Sequence, residues 1–170
     1  MIFFFFFLIY CSSLNQKFSY IFLFHNINLN LINLNFNFGL DNLSISFILL
    51  TSFLFNISLL VSLYNIKYRF KLFILNFFFL ELLIILAFLS INLFLFYIFF
   101  ELSLMPMFLL IGIWGSRQRK IYAVYQFFYY TLFGSIFLLI AIFILYSNFY
   151  TLDIQILMNT FISYEKQLLI

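Results

Sequence analysis

Residues 72–114 read LFILNFFFLELLIILAFLSINLFLFYIFFELSLMPMFLLIGIW, 43 residues carrying only two charges, Glu81 and Glu101. A helix rising about 1.5 Å per residue needs roughly 20 apolar residues to cross ~30 Å of hydrocarbon, so this stretch suffices for two spans. They meet at a tight turn near residues 90–92, although neither Gly nor Pro marks it.

Outward from this pair, residues 43–64 give another uncharged span, and Asp41 just ahead places a carboxylate at its positive helix end. Residues 122–146 give a further one. The spans are therefore expected near 43–64, 72–90, 93–114 and 122–146. Two basic loops, 67–71 with Lys67, Arg69 and Lys71 and 117–120 with Arg117, Arg119 and Lys120, hold six of the eight Lys and Arg residues. They bracket two spans and so share one side of the membrane, which the excess of positive charge assigns to the matrix or cytoplasm.

With 67% hydrophobic residues, 8% charged and a mean hydropathy of +1.19, the 170-residue chain has more apolar surface than so small a domain can bury. Lipid is its solvent. The 31 Phe and the abundant Ile, Leu and Asn read as codon bias of an AT-rich organellar genome, and the Phe runs carry no functional weight. A net charge of +3 gathered in two short loops does not follow a nucleic-acid backbone. The single cysteine, Cys11, makes no internal disulfide and no CxxC offers zinc or an iron–sulfur cluster a site. The one histidine, His25, lies between spans rather than inside the bilayer where a heme ligand would have to project. Nucleotide-phosphate motifs are absent from the sequence. No cofactor is expected on this chain, and redox chemistry belongs to other polypeptides.

Ahead of these spans, residues 2–10 are apolar but too few to cross, and 18–24 are apolar again, a weak further span. No basic residues precede the apolar run as a cleaved signal peptide would want. Between residues 26 and 38, Ile27, Leu29 and Leu31 occupy one parity and Ile32, Leu34, Phe36 and Phe38 the other. A period of two with a slip at Ile32 predicts a bulge or two short strands, lying outside the hydrocarbon where an open edge can be hydrated. After Tyr146 the chain turns polar, then ends in Leu168, Leu169 and Ile170 as apolar character resumes, as a truncated or split polypeptide would. The sequons at Asn42 and Asn56 are expected by chance in so Asn-rich a chain, and Asn56 falls inside a span. The fold class is thus an all-α integral membrane protein with about four to five transmembrane helices and a short extended segment.

Glu101 lies 13 residues, about 20 Å, from the basic end at Trp114, and Glu81 lies 10 residues, about 15 Å, from Lys71. Both sit near the midplane. An ionised carboxylate there costs several kcal/mol unless paired, hydrated or protonated, so such residues usually face a polar interior. Glu101 reads as a proton-transfer group, against the alternative of a neutral acid hydrogen-bonded to a neighbouring helix. Pro106 removes a backbone donor and displaces the carbonyl of Leu102 beside Glu101, a polar kink that admits water; by itself it is equally read as a tolerated kink. Glu81 is evenly balanced between a relay and a structural acid.

The stretches FGLDNLS at residues 38–44, LFYIFFELSLMPMFLLIGIWGSRQRKIYAVYQFFYYTLFGSIFLLIAI at 95–142 and EKQLLI at 165–170 resemble the subunit 4 family of NADH:ubiquinone oxidoreductase, respiratory complex I, whose members are antiporter-like. The likeness is densest from Leu95 to Ile142 and is not seen ahead of Phe38. The chain thus divides into a divergent segment, 1–37, and an antiporter-like fragment, 38–170. The resemblance implies that Glu101 is the family's essential membrane glutamate, which pairs with a lysine on a later, interrupted helix. It also implies the mitochondrial inner membrane, the matrix side for both basic loops, membrane-arm subunits as partners, and flavin and iron–sulfur clusters on other subunits. The segment carrying the lysine would follow Ile170. Either a second chain supplies it, or this half has lost pumping and kept a structural role as scaffold; a cation/proton antiporter-type subunit is the remaining alternative.

Overall fold

The computed structural model describes residues 24–29 and 34–159. Two strands, β1 (Phe24–Leu29) and β2 (Leu34–Phe38), precede four long helices, α1 (Asn42–Asn65), α2 (Phe70–Leu89), α3 (Leu93–Trp114) and α4 (Lys120–Phe149), and a short α5 (Ile154–Asn159). The possible span ahead of residue 24 and the EKQLLI segment lie outside the described residues. All four long helices have the length and composition to cross a membrane, and the chain is an integral membrane protein of helices. Against the expected 72–90 and 122–146, the second begins at Phe70 and ends at Leu89, and the fourth runs from Lys120 to Phe149, gaining Lys120 and Ile121 at its start and Ser147, Asn148 and Phe149 at its end.

The two strands pair antiparallel, with Ile27 opposite Phe36, Asn28 opposite Asn35 and Leu29 opposite Leu34, and an irregularity between Phe24 and Ile27. From Ile27 to Leu29 this register sets each odd-numbered residue opposite an even-numbered one, whereas Phe24, beyond the irregularity, stands opposite Phe38. The parity slip at Ile32 is therefore what sets apolar positions opposite apolar ones across the hairpin.

Helix α1 starts at Asp41, whose backbone N–H donates to Ser44 Oγ at 2.7 Å while that hydroxyl donates to the Asp41 carbonyl at 2.9 Å. Its first turns supply the apolar core, with Ile45 and Ile48 fully buried beside Leu40 and packed on Ile85, Phe88 and Leu89 of α2. Phe47 stacks on Phe88 with ring centroids 5.5 Å apart. Most other large side chains, Leu50, Phe78, Met105 and Phe137 among them, are exposed. In water that surface would be untenable; in lipid it is the expected outer face.

Consecutive helices pack through aromatic rings: Phe55 on Phe77 at 4.8 Å, Phe73 on Trp114 at 5.4 Å, and Phe108 on Tyr125 and Phe128 at 5.7 and 5.4 Å. The α2–α3 turn needs no Gly or Pro because Ser90 to Asn92 run as extended chain hydrogen-bonded on both sides. On one side Gly39 N–H donates to the Leu89 carbonyl and Ile91 N–H to that of Asn37, at 2.8 and 3.1 Å. On the other Leu93 N–H donates to the Leu152 carbonyl and Ile154 N–H to that of Ile91, at 3.1 and 3.2 Å. Ser90 Oγ closes α2 on the Ala87 carbonyl, and Asn92 Oδ1 caps α3 by accepting from Phe94 N–H. This anchored turn sets the depth of both glutamates.

Candidate functional site: two glutamates on one helical hairpin

The turn is centred on Ile91, and Glu81 and Glu101 each lie ten residues from it, one on each arm of the α2–α3 hairpin. Antiparallel neighbours that leave one turn at the same rise keep such residues level. Each glutamate is eight residues, about 12 Å, from the turn end of its helix. From the opposite end Glu81 is eleven residues, about 17 Å, inside α2, and Glu101 thirteen residues, about 20 Å, inside α3. Both carboxyls are thus deep in the apolar slab, at one level.

Glu81 is buried, at 8% exposure. It lies one helical turn beyond Phe77, whose ring meets Phe55 of α1, so it stands on the packed side of α2. Glu101 is partly buried; its Oε2 is enclosed yet has no hydrogen-bond partner. A buried acceptor without a donor costs about 1–3 kcal/mol, more when charged, so this oxygen calls for a water or a cation. The described Lys and Arg residues cannot provide one, because all six stand at the far end, in or beside the two loops.

Pro106 sits inside α3, its ring fully buried, and the helix continues unbroken to Trp114. Having no N–H, it leaves the Leu102 carbonyl without its usual partner, next in sequence to Glu101. Two polar positions escaped the sequence reading: Ser52 of α1 and Ser135 of α4 are buried, thirteen residues from the basic end of α1 and fifteen from that of α4. Counting residues from the basic loops would have placed them about 20 and 22 Å deep, level with the glutamates. Among the described residues no three of His, Cys, Asp and Glu come together as a metal-ligating set.

Four apolar spans, basic loops at one end and two carboxyl side chains at matching depth define a polytopic helical membrane protein with acidic groups inside its apolar slab. Residues 90–170 match the family model described as NADH:quinone oxidoreductase/Mrp antiporter, TM, a stretch that opens at the anchored turn and contains Glu101 and Pro106. The chain is related to NADH-ubiquinone oxidoreductase chain 4. It is 46% identical to that protein of Acanthamoeba castellanii over 151 residues, 89% of this chain and 30% of the relative. The Marchantia polymorpha and Arabidopsis thaliana proteins are 42% and 46% identical over 81% and 80% of this chain and 28% of each relative. The chain therefore spans under a third of the length of these relatives. A match over 151 residues is longer than the segment from Phe38 to Ile170, so the likeness reaches ahead of Phe38, further than the motifs alone carried it.

Proposed function

We propose that this chain contributes to the membrane arm of a proton-translocating NADH:ubiquinone oxidoreductase, with Glu101 as its proton-transfer group. The observation that carries the reading is the enclosed, unpartnered Oε2 of Glu101 at mid-depth, level with Glu81 on the adjoining helix. Glu81 serves as a relay. Pro106 frees a carbonyl at which water can be held beside Glu101. The companion cation is a lysine contributed by residues that follow Ile170 or by a second chain, and the neighbours are other membrane-arm subunits. Flavin and iron–sulfur clusters sit on other subunits, and electron transfer there drives the cation's movement. The setting is the mitochondrial inner membrane, with the basic loops at Lys67 to Lys71 and Arg117 to Lys120 facing the matrix.

Charge coupling supplies the mechanism. An ammonium brought close stabilises the carboxylate and promotes release of its proton; withdrawing it favours uptake. A swing of three units in proton affinity requires about 4 kcal/mol of coupling, within reach of a close pair in a low-dielectric slab. Proton translocation per NADH, measured in membrane vesicles, tests this. Glu101→Gln is expected to lower the ratio, and Glu81→Gln to lower it less. An unchanged ratio in Glu101→Gln would leave the chain a scaffold that completes the arm.

A further inference from the structure

Phe108 of α3 packs edge-on against Phe128 of α4, ring centroids 5.4 Å apart, and against Tyr125 at 5.7 Å. This contact fixes the register of the two antiparallel helices. Seven residues are nearly two full turns, so Glu101, seven before Phe108, lies on the same face of α3, the one turned toward α4. Seven residues forward from Phe128 on α4 is Ser135, on the face turned toward α3; Thr131 precedes it by one turn on that face. Ser135 is buried and Thr131 partly so. The same two-turn step on both sides of one ring contact puts Glu101 level with this pair of hydroxyls on the facing sides of the two helices, with no hydrogen bond between them in the structure.

Both hydroxyls donate to their own helix, Thr131 Oγ1 to the carbonyls of Phe127 and Phe128 at 2.9 and 3.0 Å, and Ser135 Oγ to that of Leu132 at 2.9 Å. Each oxygen keeps lone pairs free. We infer that Ser135, with Thr131 one turn away, is the positioning residue for the Glu101 carboxyl in both of its proton states. A protonated carboxyl donates its O–H to the free lone pair of Ser135 Oγ. When the proton leaves, the hydroxyl rotates away from the Leu132 carbonyl and donates to the carboxylate. The hydroxyl is neither consumed nor ionised. The Leu132 carbonyl keeps its helical hydrogen bond throughout, so the rotation leaves no backbone group bare.

The inference deepens the proton-transfer reading of Glu101 and rests on it for its purpose, though not for its geometry. Redox-induced infrared difference spectroscopy of the assembled complex tests it. The Glu101 carboxyl band is identified as the one lost in Glu101→Gln. In Ser135→Cys, which preserves the side chain's shape but offers only a weak acceptor, that band is expected at higher wavenumber. Thr131→Val, matched in shape, should move it less, and Ser135→Thr should return it toward its parental position. A band unmoved by both Ser135→Cys and Thr131→Val would overturn the assignment, as would a parental complex with no Glu101 band at all. Normal proton translocation in Glu101→Gln, by contrast, would remove the pumping role and leave a band shift in Ser135→Cys to stand for the geometry alone.

Discussion

Asp41 and Asp153 flank the anchored turn at the end of the molecule opposite the six basic side chains. Partial burial pushes both carboxyls above the ordinary Asp value. A raised value in the folded state means that the neutral acid is favoured there. The stabilisation it brings is full below the ordinary carboxylate range and is lost as pH climbs through the raised value. Asp153→Asn, which fixes a neutral side chain, is therefore expected to raise the thermal midpoint at neutral pH and to leave it unchanged in acid near pH 3. The gain should stay below about 1 kcal/mol, because solvent reaches the group; a loss at neutral pH would contradict the sign. At this scale the sequence was partly legible. Glu81 and Glu101 stand out because charge inside an apolar run is costly wherever the helix points. Ser52 and Ser135 do not, since a hydroxyl satisfied by its own helix costs little and appears at random in such sequences; only their burial and depth distinguish them.

Helices were the easiest elements to read, because lipid demands about 20 uncharged residues in a row and the basic loops interrupt the runs where the bilayer ends. Their junctions were harder. The α2–α3 turn carries no Gly or Pro, and what holds it is pairing to residues 37–39 and 152–154, distant in sequence and invisible to local reading. The hairpin of β1 and β2 was legible through its parity slip. Pro106 belongs to this scale as well: it removes the bond to the Leu102 carbonyl without ending α3. Pro106→Ala restores the bond and removes the polar site beside Glu101. Proton translocation is then expected to fall roughly fivefold, the weight of one net hydrogen bond of about 1 kcal/mol, while α3 itself is no less stable. Translocation equal to the parental rate would make the proline a tolerated irregularity.

In the whole molecule the described charges are sorted by level: basic groups at one end, Asp41 and Asp153 at the other, and the two glutamates between. One side chain ties the basic end together. Trp114 Nε1 donates to the Tyr68 carbonyl at 2.8 Å, joining the end of α3 to the loop before α2, while its ring meets Phe73 edge-on. Lys120 Nζ donates to the Ile113 carbonyl at 2.8 Å and closes the neighbouring loop on the same helix end. Trp114→Phe keeps an aromatic ring there but loses the donor together with the second ring of the indole, so the cost should be at least the ~1 kcal/mol of one net hydrogen bond, or a fall of roughly 2–4 °C or more in thermal midpoint. A much larger fall would show that the ring, rather than the hydrogen bond, holds the loops.

The most direct measurement is a cryo-EM map of the assembled complex at a resolution that shows ordered water around Glu101. Density for a water or an amino group within about 3 Å of Oε2 is the predicted result. A carboxyl closed off by hydrocarbon on every side, with no polar neighbour in reach, would contradict a proton-transfer role for this residue.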